Sequence, residues 1–170
     1  MAITMHRAGL TLVKIDVSAA QDTWQDFGYT RDGVDISEQP FLLDIHGDEN
    51  GGDAGPPIDS QFLGEIHTIT CMMTKWDKTI ENTIRNALRA NATPGTLPTP
   101  GQFLRQDSQR FKVGLAAADP LTETQDRAYA TCIVRQPKTL NKGTKHEVLL
   151  FVFEAWMPAG GGVIYTRTDL

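Results

Sequence analysis

In the segment LGEIHTITC, Glu65 and His67 stand two residues apart, so a strand through this segment turns both to one face together with Ile69. A carboxylate beside an imidazole can hold a metal ion or act as a general base. His6, His46 and His146 have no ligand spacing with one another, and a half-buried strand histidine in hydrogen-bonded packing is the plainer reading. The acidic stretch DIHGDENGGDAGPPID, Asp44 to Asp59, is the second place where chemistry is conceivable. A calcium loop counted from Asp48 has Asn50 at its third position. It then has Gly52 at the fifth, Asp53 where the glycine belongs, and Asp59 instead of a closing glutamate. A phosphate cradle needs glycines leading from a strand into a helix, and these lead into Pro56 and Pro57. Ser18, Ser37, Ser60 and Ser108 lie in no Gly-x-Ser-x-Gly elbow. No catalytic set emerges, and the chain reads as a non-enzyme without a cofactor. A small metal-dependent hydrolase using Glu65, His67 and the acidic loop is the competing reading.

The elements that would carry these residues are mostly strands. LTLVKIDV alternates, with Thr11, Val13 and Ile15 on one face. In WQDFGYTRDGVDIS, Asp32-Gly33 between alternating apolar positions predicts a tight hairpin, and PFLLDIH predicts a further short strand. The Gly/Asp/Pro stretch at about 46–60 predicts a long loop, because glycine gives up much backbone entropy and proline lacks the ladder donor. From Leu63 to Met73 a long strand sets His67, Ile69, Cys71 and Met73 against Ile66, Thr68, Thr70 and Met72. Trp76, Ile80, Ile84 and Leu88 recur at helical spacing behind a capping Asp77, predicting one helix over about 76–90. NATPGTLPTPG breaks the pattern, and QFLRQDSQRFKVGLA, RAYATCIVRQP, HEVLLFVFEAWMP and GGGVIYTRT supply further strands. About seven strands with one flanking helix predict a mainly β sandwich or barrel, formed by residues 1–170 as a single domain.

Sixteen basic against twenty-one acidic residues leave a net charge of −5, which argues against binding nucleic acid by neutralising phosphates. Cys71 and Cys132 each fall in a strand-like run and are expected as buried free thiols. No signal-length or membrane-length apolar run is apparent, so a soluble protein made in a cytoplasm, with no membrane partner, is expected. Trp24, Trp76 and Trp156 are expected as core or interface anchors.

FGYTRDGV at Phe27 to Val34, the loop ending in GPPID at Gly55 to Asp59, LGE at Leu63 to Glu65 and TKWD at Thr74 to Asp77 together resemble the tail tube proteins of tailed bacteriophages. The resemblance covers roughly the first half of the chain. It implies a virion structural protein of the phage tail, a homohexamer whose rings stack into a channel for genome ejection. Partners would be further copies of itself and the sheath, tape-measure, baseplate and neck proteins, with DNA passing through unbound. The loop residues Asp48, Glu49, Asn50, Asp53, Pro56 and Pro57 then become candidates for subunit or ring contacts. Asp32, Asp35, Glu38, Glu65 and Glu154 become candidates for an anionic lumen that repels phosphate. A neck, baseplate or capsid-decorating protein built from similar strands is the nearest alternative.

Overall fold

A computed structural model describes residues 10–17, 23–48, 51, 54–87, 100–101, 111–117, 126–141, 148–158 and 161–167. The strands are β1 (Thr11–Asp16), β2 (Gln25–Ile45), β3 (Asp59–Trp76), β4 (Phe111–Ala117), β5 (Arg127–Asn141), β6 (Val148–Trp156) and β7 (Tyr165–Arg167). One helix, α1 (Lys78–Ala87), follows β3. The strands run in the order β4-β1-β2-β3-β6-β5-β7, and β4 also pairs with β5. Six strands therefore close into a barrel, and β7 lies outside the ring on β5. Of the two expected architectures, the barrel is the one that forms. Closure leaves its members without unpaired edges along their shared length.

Alternation decides what the barrel encloses. Val13, Ile15, Ile69, Cys71, Met73 and Phe153 are fully buried, while Met72 on the opposite face of β3 stays exposed. Phe27 meets Phe151 edge-on at 5.3 Å between centroids, and Phe111 meets Phe153 at 5.9 Å. These side chains form the core cluster inside the barrel. Both cysteines are buried and free. Burial pushes the Cys71 thiol up to about 12 and raises that of Cys132 further. Trp24, Trp76 and Trp156 are each only partly buried.

Asp77 accepts hydrogen bonds at Oδ1 from the amides of Thr79 at 2.7 Å and Ile80 at 3.0 Å, capping α1 as the sequence predicts. Ile80 and Ile84 from its inner face join the core, each burial contributing roughly 1.5–3 kcal/mol. Trp76 belongs to the end of β3, and its indole Nε1 donates to Glu81 on the helix at 2.7 Å. Leu88 to Ala90 lie outside the described residues.

Two expectations about β2 are corrected. Asp32-Gly33 makes no hairpin, because β2 runs unbroken for 21 residues and the register against β3 slips between Thr30 and Val34. Gly33, at φ 99°, supplies the positive dihedral that a bulge needs as much as a turn does. PFLLDIH is likewise the far end of β2, paired with β3 from Pro40↔Glu65 to Ile45↔Asp59.

Candidate functional site

The partners of β2 and β3 run out before the strands do. β1 pairs with β2 only between Gln25 and Tyr29, and β6 pairs with β3 only from Ile66 to Met73. Beyond those limits the two strands hold only each other among the described residues, out to Ile45↔Asp59. The result is a two-stranded arm extending about 20 Å past the barrel wall. The amide of Ile58 donates to the carbonyl of Ile45 at 2.9 Å, and His46 Nδ1 lies 3.1 Å from the carbonyl oxygen of Gly55, tying the base of the terminal loop.

The arm is apolar on both faces. Cross-strand register sets Leu43 and Ile45 on the face shared by Gln61 and Asp59, and Leu42 on the face shared by Phe62, with Leu63 the extra residue where the register shifts between Phe41 and Leu42. Leu42 is 58 % exposed, Phe62 52 % and Leu63 59 %, and Phe41, Leu43, Ile45 and Ile58 are exposed as well. A two-stranded ribbon is marginal in water by itself, and among the described residues neither face here has a core to cover it.

At the root of the arm lies a polar cluster. Glu38 and His67 are cross-strand partners, and Glu65 joins them on the same face. Buried His67 has Nε2 2.7 Å from Glu65 Oε1, while its Nδ1 has no hydrogen-bond partner among the described residues. Arg127 Nη1 donates to Glu38 Oε1 at 3.2 Å and lies 3.5 Å from the Tyr129 hydroxyl; its Cζ sits 4.6 Å from the Tyr165 ring centroid. Both tyrosine rings pack against His67 at 5.8 Å. Partial burial disfavours the Arg127 charge, but the Tyr129 hydroxyl and Glu38 outweigh it, so its pKa is raised. Burial raises the Tyr129 phenol against the opposing pull of Arg127.

Glu38, Glu65 and His67 present donor atoms within 4.8 Å of one another, which is the spacing of a possible cation site. Two features weigh against a resident metal. The guanidinium already pairs with Glu38, and a metal on His67 Nε2 would leave a protonated Nδ1 buried without the partner that ligand histidines ordinarily have.

The remaining candidates are spread out. Asp48, Pro56 and Pro57 are exposed in the loop beyond the arm, and Glu49, Asn50 and Asp53 lie outside the described residues. Asp32 and Asp35 are exposed on β2, Asp32 beside Arg31 at 3.4 Å. Glu154 is nearly buried on β6 and pairs with Arg135 at 3.4 Å. The sequence reading missed Arg127, Tyr129 and Tyr165, which carry no motif. It also passed over the apolar side chains of FLLDI and QFL, whose signal was an apolar pair on each side of a polar loop. Among the described residues no helix is long and apolar enough to cross a membrane. Comparison of the chain with known proteins finds no matching family model and no matching curated protein.

Proposed function

We propose that the protein is a structural subunit that assembles with copies of itself, and that the assembly is the stacked hexameric ring of a bacteriophage tail tube. The observation that carries self-assembly is the arm: seven large apolar side chains stand exposed on a ribbon that has no core of its own. The tail tube in particular is supported by the resemblance of the FGYT-x-DGV, GPPID, LGE and TKWD segments, and a β-barrel with one flanking helix among the described residues agrees with it. In such a tube the exposed carboxylates of Asp35 and, beside Arg31, of Asp32 are better lumen candidates than Glu154, which is nearly buried. An anionic bore lets DNA slide, whereas a basic one would hold it through counterion release.

Electron microscopy of the purified protein tests this, with rings or tubes roughly 10 nm across as the expected result for modules of this size. Compact monomers at high concentration, even with the other tail components present, would refute it. A trimer or a single unstacked ring would move the protein to a capsid-decorating, neck or baseplate position.

The donor spacing of Glu38, Glu65 and His67 is what speaks for a second reading, a metal-dependent hydrolase, against the Arg127 pairing of Glu38 and the unpartnered His67 Nδ1. Metal analysis of the purified protein together with Glu65→Ala and His67→Ala decides it. Stoichiometric metal lost in both variants would support the enzyme, and a metal-free protein would remove it.

A further inference from the structure

β7 continues the line of β6. Both pair antiparallel with β5, β6 from Cys132 to Asn141 and β7 from Arg127 to Tyr129, and between them the chain leaves the sheet. On the far side, β3 loses β6 at Ile66, so that its edge from Glu65 back to Asp59 faces no strand among the described residues. The outer edge of β7 is in the same position. Between these two edges lies an open cavity of about 440 Å³, lined by Phe62, Glu65, Met157, Val163, Tyr165 and, at its end, Arg167. Val163 is 68 % exposed, the most exposed large apolar side chain of the described residues. The cavity is a slot beside two strand edges that pair with no strand among the described residues, and most of the side chains lining it are apolar.

Charge points to the occupant. From Gln39 to Ile66, the arm with its loop, the sequence has six of its twenty-one acidic residues and none of its sixteen basic ones. The rest of the chain carries fifteen acids against those sixteen bases, a formal +1. The arm and its loop are therefore acidic and apolar, and every lysine and arginine of the chain lies on the body they project from. The arm cannot enter its own slot, because Phe62 and Glu65 of its own β3 form one wall.

We infer that the slot between β7 and the root of the arm receives the arm of a second copy, apolar side chains filling the cavity and Arg167 meeting the incoming acids. The contact is head-to-tail: arm and slot are different surfaces, so each copy both gives and receives, and the chain of contacts closes as a ring or continues as a filament. This rests on the self-assembly proposed above and names the surface that accepts the arm.

Mixing two variants tests it. Leu42→Glu with Leu43→Glu disables the arm, and Val163→Glu with Arg167→Glu disables the slot; all four positions are exposed, and circular dichroism checks that each variant keeps the native spectrum. Each variant alone is expected to stay at the 18.7 kDa monomer mass in native mass spectrometry and sedimentation. The 1:1 mixture has one working arm and one working slot, and is expected to stop at a heterodimer of twice that mass. A mixture that stays monomeric, or a slot variant that assembles like wild type, overturns the slot as acceptor while leaving self-assembly standing. Wild-type protein that is monomeric under every condition overturns both.

Discussion

Glu38 stands directly across from His67 in the β2–β3 register, yet its carboxylate accepts from Arg127 on β5 at 3.2 Å while His67 turns to Glu65. One side chain from a third strand thus ties the root of the arm to the barrel. The pair is only partly buried, so it contributes about 1 kcal/mol or less to stability. Glu38→Gln should lower Tm by at most about 2–4 °C. Arg127→Met should cost more, because it also forfeits the contact over Tyr165, worth about 0.5–1 kcal/mol. Hydrogen exchange separates tether from scaffold: amides from Gln39 to Ile45 should exchange faster in both variants, with those of β1 and β4 unchanged.

The helix cap offers a cleaner stability test. Asp77→Ala leaves the Thr79 and Ile80 amides without their acceptor and should destabilise the protein by about 1 kcal/mol, while Asp77→Ser should recover most of it. Thermal or denaturant unfolding measures both.

Where the sequence was legible, one physical constraint dominated. His67, Ile69, Cys71 and Met73 were placed correctly because a strand with one buried face leaves no freedom of register, and Asp77 because few residues satisfy amides at a helix start. The misreading of Asp32-Gly33 has an equally local cause. A positive φ serves a turn and a bulge alike, and which one forms depends on β3, which begins more than twenty residues later. Arg127 was illegible for the opposite reason. Its bond to Glu38 spans 89 positions, and no local pattern encodes such a pairing.

Close backbone approach predicts the most damaging small substitution. A Cβ on Gly28 would collide with the Lys75 carbonyl oxygen and come within 2.7 Å of the Trp76 Cα, both of them backbone atoms in the paired strand. Gly28→Ala should therefore destabilise by roughly 1–3 kcal/mol or more, read as a fall in the midpoint of urea unfolding.

The two thiols set an alkaline limit. In the folded protein Cys71 ionises only near 12, against an ordinary 9.0, and Cys132 is raised as well. A raised folded pKa means stability is intact below about pH 9, where both states hold the proton, and declines as the unfolded chain alone ionises above it. Unfolding midpoints should fall between pH 9 and 11, less steeply in Cys71→Ala than in wild type. Native protein should also resist a thiol reagent at pH 8 and react at both cysteines only once unfolded.

Loop and arm should be separable. Because the Ile58 amide already bonds the Ile45 carbonyl, the ends of the loop are held together without it. Deleting Gly47 to Gly55 and joining the ends by a short turn should leave Tm nearly unchanged, since closure entropy varies slowly with loop length. Assembly should cease, as seen by electron microscopy. Tubes that formed unaltered would free the loop of any part in subunit contact.

The seam of the barrel, where Thr11 meets Ala117, joins residues made at opposite ends of most of the chain's synthesis. During translation β2 and β3 can zip together early, since one follows the other, while β1 waits for β4 before its second edge is covered. The apolar ribbon is therefore complete in sequence before the barrel can close, which also awaits β5 and β6. An apolar ribbon that forms ahead of the body it belongs to is the kind of surface through which incompletely folded chains associate.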